Sequence, residues 1–199
     1  METMGDPVRQ LGERYTYRQY KTWPDDQRWE LIDGAAWMMS SPTERHQMIT
    51  GRFFGELYSF LKGKTCAPYV APFDVLLPRS DEDDEEVDSV VQPDVMVFCD
   101  RSRIRKANAR GAPDLVVEIL SPSTSKKDQN DKFGLYERAG VREYWIVDPA
   151  ALSVWVYRLE KGRFDKGLLR ERFSDWTRLE SSVLPGFTLD PTELFAGME

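Results

Sequence analysis

The sequence predicts an α/β protein, α+β in the order of its elements, built as a mixed sheet flanked by helices. Three observations carry that prediction. The runs VVQPDVMVF (90–98), PDLVVEIL (113–120) and EYWIVDP (143–149) are short, rich in β-branched residues and fenced by Pro, Gly or Asp, as buried strands are. Met48, Ile49, Phe53, Leu57, Phe60 and Leu61 recur at helical spacing, which predicts an amphipathic helix laid on a sheet. The order helix, hairpin, helix, strands, helix, strands mixes element types without a regular βαβ alternation.

Taken in order, residues 1–14 read as a flexible polar tail and 15–199 as a single domain. Thr16 can cap a short helix, YRQYKTW, that Pro24 ends. In RWELIDGAAWMMS, Asp33-Gly34 joins two strands as a hairpin. SSPTE is a loop before the long helix, and PYVAPFDVLLP (68–78) reads as one strand. The acidic run DEDDEEVD (81–88) reads as a solvated loop, and RSRIRKANAR (101–110) as a basic connector or a phosphate-contacting loop. SPSTS offers N-caps for the helix KKDQNDKFGLYERAG, which Gly140 stops. A DPAA turn, the strand VWVYRL and a tail of strand and turn signals complete the chain.

A length of 199 residues suits one domain with a sizeable core, and 41% hydrophobic content places the chain among globular proteins. No apolar run approaches the ~20 residues of a membrane span, and the first residues lack the apolar core of a secretory signal. Cys66 and Cys99 show neither CxxC spacing nor a disulfide framework, so a reduced, cytoplasmic protein is expected. A net charge of -7 argues against indiscriminate polyanion binding, but only lightly, because the five cations of 101–110 include no acid. With one histidine, His46, and two cysteines, a zinc site is not expected, and any metal would take oxygen ligands.

Two carboxylates stand where apolar packing alone would not put them. Asp94 opens VMVF, and Glu118 sits inside VVEIL with two apolar residues on either side. A lone ionised carboxylate on a central strand is costly, so it normally has a cation, a metal or a proton. On neighbouring strands about 4.8 Å apart the two could share one hard cation such as Mg²⁺. Asp114 lies four residues from Glu118, roughly 13 Å along a strand, too far to join them. Lys132, in the helix after the Glu118 strand with Asp128 at i−4 and Tyr136 at i+4, could bring an amine to the strand ends. The plainer readings are a strand-entry cap for Asp94, a buried salt bridge between Glu118 and Lys132, and a surface pair of Lys132 with Asp128.

QPD, PDLVVEILSPST, D-x-x-x-K and AGVREYWIVDP together resemble the Uma-type family of restriction-endonuclease-like proteins, assigned to the PD-(D/E)XK nuclease superfamily. The likeness runs from about residue 15 to 195 and includes WELIDG and SPTERH. It implies a restriction-endonuclease-like core, Pro93-Asp94 as the PD motif and Glu118 as the second acid. The lysine normally two residues beyond that acid is replaced by Leu120, and Lys132 matches a lysine moved to the next helix. Glu30 aligns with a further acid near the site, and His46 with a recurrent histidine. The resemblance implies a Mg²⁺-dependent endonuclease, with Mn²⁺ as an alternative, acting on nucleic acid and on DNA ahead of RNA. Asp94 and Glu118 would hold the metal with the Ile119 carbonyl, and Lys132 would steady the developing charge. A homodimer would suit cutting two strands. Alanine at Asp94 or Glu118 should then stop cleavage and leave the fold largely intact. The alternative is a non-catalytic interaction protein that retains the nuclease fold.

Overall fold

The computed structural model describes residues 13–24, 26–121, 130–171 and 178–198. Residues 1–12 of the expected tail lie outside these, whereas Arg14 is tied down, its Nη2 donating to the Asp33 carbonyl at 2.9 Å and to Asp88 at 3.1 Å.

After the short helix α1 (Tyr17–Tyr20), strands β1 (Trp29–Ile32) and β2 (Ala35–Met38) form the expected hairpin. Its two-residue turn has positive φ at both positions, Asp33 at 50° and Gly34 at 78°. That is a type I′ turn, which Asp-Gly favours. Next come α2 (Glu44–Leu61), β3 (Ala67–Val70), β4 (Asp74–Leu76), β5 (Val90–Val91) and β6 (Val95–Phe98). They are followed by β7 (Asn108–Arg110), β8 (Leu115–Ile119), α3 (Lys132–Ala139), β9 (Glu143–Asp148) and β10 (Ser153–Glu160). The chain ends with β11 (Arg163–Phe164), β12 (Leu168–Glu171), β13 (Leu179–Glu180), β14 (Thr188–Leu189) and α4 (Pro191–Leu194).

The central sheet runs β11-β10-β9-β8-β6-β3, with β12 also on β10, and a second sheet runs β2-β1-β5-β4-β7. In the central sheet only β8 and β9 are parallel, joined through α3; β3, β6 and β10 are antiparallel to their neighbours. Period-two alternation divides its faces. Val95, Val97, Leu115, Val117, Trp145 and Val147 meet Ile49, Phe53, Leu57 and Leu61 of α2. Met96, Val116, Tyr144 and Ile146 meet Leu135 and Tyr136 of α3, together with Ile32, Val75 and Val91 of the second sheet.

Two runs expected as single strands each divide between the sheets, and a proline lies at each break. VVQPDVMVF separates at Gln92-Pro93-Asp94 into β5 and β6, and PYVAPFDVLLP at Ala71-Pro72-Phe73 into β3 and β4. Proline gives no N–H to a ladder, so pairing lapses there and the strand can change sheets. The two broken strands pair with each other, Val70 with Val95 and Val75 with Val91. Residues 71–74 thus face 92–94, a one-residue bulge beside the PD motif.

Two charge expectations are corrected. The acidic run forms a turn, Asp84–Glu86, paired with cations: Asp84 with Arg105 and Arg110, Glu85 with Lys21, and Glu86 with Arg18. Opposite charges drew the acidic and basic segments together, so neither is simply solvated. The two cysteines are not free thiols either. They lie one residue beyond the Ala67↔Phe98 pair and form a disulfide, because antiparallel register erases their separation of 33 residues. The reduced-compartment expectation loses that support. Among the described residues no helix is long and apolar enough to cross a membrane.

Phe53 is fully buried and meets Trp145 edge to face at 5.3 Å. Phe53→Ala should cost about 3–5 kcal/mol in urea unfolding. Tyr58→Ala, at an exposed position of the same helix, should stay within about 0.5 kcal/mol.

Candidate active site

The β6–β8 register places Asp94 directly across from Glu118, one step beyond Val95↔Val117. Residues opposite each other in an antiparallel pair project to one side, so both acids reach the same cleft. Ile119, Ser121, His46, Arg28 and Lys132 line it with them.

Asp94 is half-buried, and its Oδ2 accepts from the Ile119 N–H at 2.8 Å and meets His46 Nε2 at 3.1 Å. The strand-entry cap is therefore real, though it serves the neighbouring strand. No hydrogen bond to Asp94 Oδ1 is found among the described residues. His46 comes from the first turn of α2, where Thr43 Oγ1 accepts from its N–H. It is thus both a helix-start residue and part of the site, holding Asp94 in place.

Glu118 lies deeper. Its Oε1 accepts from Lys132 Nζ at 2.8 Å and from the Tyr136 hydroxyl at 2.6 Å. Lys132 Nζ also lies 2.9 Å from Glu30 Oε1, which accepts the Gln92 N–H at 2.9 Å. Glu30 is 0% exposed and Glu118 and Lys132 each 2%, so this is a buried ionic triad joining both sheets to α3. The expected salt bridge between Glu118 and Lys132 is present. The surface pair is not the state of Lys132, and Asp128 lies outside the described residues. Burial, and then the Glu118 charge, push the Tyr136 phenol well above its usual value, so it stays protonated and donates. Asp114 is elsewhere, accepting from the Cys99 N–H and from Arg142.

The structure therefore brings together six residues singled out from the sequence: Asp94, Glu118, Ile119, Lys132, Glu30 and His46. Tyr136, the i+4 neighbour of Lys132, gains a role that its spacing alone did not give, donating to Glu118. Three partners were missed. Gln92, Arg28 and Asp74 belong to a polar network reached only through the fold. Arg28 Nε and Nη2 donate to Gln92 Oε1 at 2.9 and 2.7 Å, and Gln92 Nε2 and the Tyr20 hydroxyl donate to Asp74 Oδ1, both at 2.8 Å.

Among the described residues no three acidic, histidine or cysteine side chains are grouped as a metal cluster. The donor chemistry nonetheless fits a hard cation. Mg²⁺ is commonly held by one or two carboxylates, with water and substrate phosphate completing its shell. Asp94 offers an oxygen with no hydrogen-bond partner among the described residues, and Glu118 stands across from it. Among the described residues, three acids, Glu30, Asp94 and Glu118, stand with two cationic side chains, Lys132 and Arg28.

Lys132→Ala would leave two buried carboxylates without their ammonium and should cost about 3–5 kcal/mol in urea unfolding. Glu118→Ala would strand that ammonium and the Tyr136 hydroxyl, so the expectation of an intact fold is replaced; Glu118→Gln is the gentler probe. Asp74 allows a pH test. Burial, ahead of the lowering bonds from Tyr20 and Gln92, holds its carboxyl above the usual 3.8. The folded state therefore keeps that proton more tightly than the unfolded chain. Its contribution is full below the ordinary value and is lost as pH rises through the raised one. Asp74→Asn should accordingly melt above wild type at pH 7, with the difference closing on acidification towards pH ~4. Thermal melts across that range check it.

Known proteins share the fold and identify the family. The fold is shared with a crystal structure described as a putative nuclease belonging to DUF820 from Anabaena variabilis. The TM-score is 0.74 at 20% identity, covering 92% of this chain and 99% of that one. An uncharacterized protein of Synechocystis sp. is 28% identical over 175 residues, spanning 86% of this chain and 87% of its own. A second uncharacterized Synechocystis protein is 32% identical over 106 residues, half of this chain and 56% of its own. Residues 17–192 match the family Uma2, described as "putative restriction endonuclease", and the chain belongs to that family.

Proposed function

We propose that the protein is a Mg²⁺-dependent endonuclease hydrolysing phosphodiester bonds, with DNA ahead of RNA as substrate and Mn²⁺ able to replace Mg²⁺. The observation that carries this reading is the cross-strand facing of Asp94 and Glu118 in a cleft also lined by Lys132. Family membership supports the reaction class.

Asp94 and Glu118 would hold the ion, with the Ile119 carbonyl as a further ligand. When bound, Mg²⁺ supplies electrostatic stabilisation of the charge that builds on the phosphoryl group. His46 and the Ile119 N–H fix one Asp94 oxygen, which directs the other to a set position. Tyr136 and Lys132 fix Glu118 in the same way. Lys132 also keeps a positive charge beside the reacting phosphate, where a preorganised cation favours the transition state over the ground state. Glu30 holds that ammonium from the opposite side.

One observation favours the second reading, a non-catalytic interaction protein. The Lys132 triad is hydrogen-bonded within the protein, so the fold does not need an ion to offset Glu118.

Titration calorimetry with Mn²⁺ or Mg²⁺ separates the two, repeated with a short DNA that can supply a phosphate ligand. Binding by wild type that is lost in Asp94→Ala and Glu118→Gln, together with at least 100-fold slower DNA cleavage in both, supports the nuclease. Absence of metal binding with and without DNA would leave the interaction protein.

A further inference from the structure

A second concavity adjoins the cleft on the side of the second sheet. Tyr20, Trp23, Trp29, Arg28, Asp74 and Gln92 line it, and Arg28 also lines the cleft. The connection continues along the backbone, with Ala71 on one side and Pro72 on the other. Its rings form a chain: Tyr20 to Trp23 at 5.6 Å and Trp23 to Trp29 at 5.3 Å, all half-buried. Packing alone would account for such rings. It would not account for Asp74 among them.

Asp74 Oδ1 takes both hydrogen bonds, from Tyr20 and Gln92, and none reaches Oδ2 among the described residues. Gln92 is itself saturated, accepting twice from Arg28 and donating to Tyr20 and Asp74. Between Asp74 and Gln92, the acceptor left over among the described residues is thus a carboxylate oxygen, set among aromatic rings. On the cleft side, Arg28 uses Nε and Nη2 on Gln92, leaving Nη1 without a bond among the described residues.

We infer that this concavity is a nucleobase pocket, which takes an unpaired guanine of the strand whose phosphate lies in the cleft. Aromatic rings bind bases by stacking, whatever the base. The carboxylate adds selection. Guanine presents adjacent N–H donors on its Watson–Crick edge. Thymine presents one donor flanked by two carbonyl oxygens, which a carboxylate repels. Arg28, between pocket and cleft, is placed for the intervening phosphate, as guanidinium groups commonly are. The substrate would then be single-stranded, or a duplex with one base turned out.

The role in cleavage rests on the nuclease reading, but the pocket can be tested without cleavage. The probes are labelled single-stranded thymine octanucleotides, with and without one central guanine, titrated in EDTA by fluorescence anisotropy. Wild type should bind the guanine-containing strand about tenfold more tightly, as expected for a hydrogen bond to a charged acceptor. Asp74→Asn, which keeps Oδ1 as an acceptor, should remove that preference and bind the all-thymine strand at least as tightly as wild type does. Trp23→Leu should weaken both strands, with folding verified by thermal melts. Equal binding of the two strands by wild type, no binding of either, or a preference that survives Asp74→Asn would overturn the pocket. A base preference in EDTA alongside no cleavage with Mg²⁺ or Mn²⁺ would overturn the nuclease reading alone.

Discussion

The ammonium of Lys132 holds the site together. It meets Glu118 of the central sheet at 2.8 Å and Glu30 of the second sheet at 2.9 Å, from a helix that packs on both. Removing such a charge from water is expensive, and buried ion pairs are seldom more stabilising than apolar side chains of the same volume. Their value lies in geometry. A hydrophobic contact between the sheets would tolerate sliding, whereas an ammonium fixed by two carboxylates sets three elements in one arrangement. Glu30 adds a further constraint by accepting the Gln92 N–H next to Pro93, so the triad also fixes where the chain passes between sheets.

That passage accounts for the placement of the PD motif. Val90 and Val91 belong to one sheet, Val95 to Phe98 to the other, and Asp94 enters the central sheet just after the break. A carboxylate inside a continuous central strand would be enclosed by neighbours. At a break it keeps one oxygen for the adjacent strand and one for the cleft. Pro72 interrupts the partner strand opposite, so both strands turn together where the cleft and the second concavity adjoin at Arg28.

Local pattern explains what could be read from the sequence. The Asp33-Gly34 hairpin, the Ile49-Phe53-Leu57-Leu61 face, the Gly140 stop and the β8–α3–β9 order are short-range signals, and the structure contains them all. Asp94 and Glu118 were legible because charge inside an apolar run is conspicuous. The Cys66–Cys99 pairing, the meeting of Asp84 with Arg105 and Arg110, and the Arg28–Gln92–Asp74 network depend on register and on how two sheets meet. No window of sequence holds that information. Proline was the one local clue to the sheet change, yet apolar continuity on both sides of Pro72 and Pro93 made each run look like one strand.

The two acids of the cleft occupy different environments, and this bears on why Glu30 is there. Asp94 is half-buried with one oxygen free of partners among the described residues, while Glu118 is enclosed and already bound to an ammonium. A cation shared by these two acids would therefore sit beside Lys132, and like charges repel strongly where water is scarce. With Glu118 alone as counter-charge, metal and lysine would compete for one carboxylate. Glu30 changes that balance by holding the ammonium from behind, at a distance close to that of Glu118 itself. An ion bound there would then share three carboxylates with the ammonium. An amine arriving from a separate helix is held in place by such an anchor, and the buried Glu30 of the hairpin strand provides it.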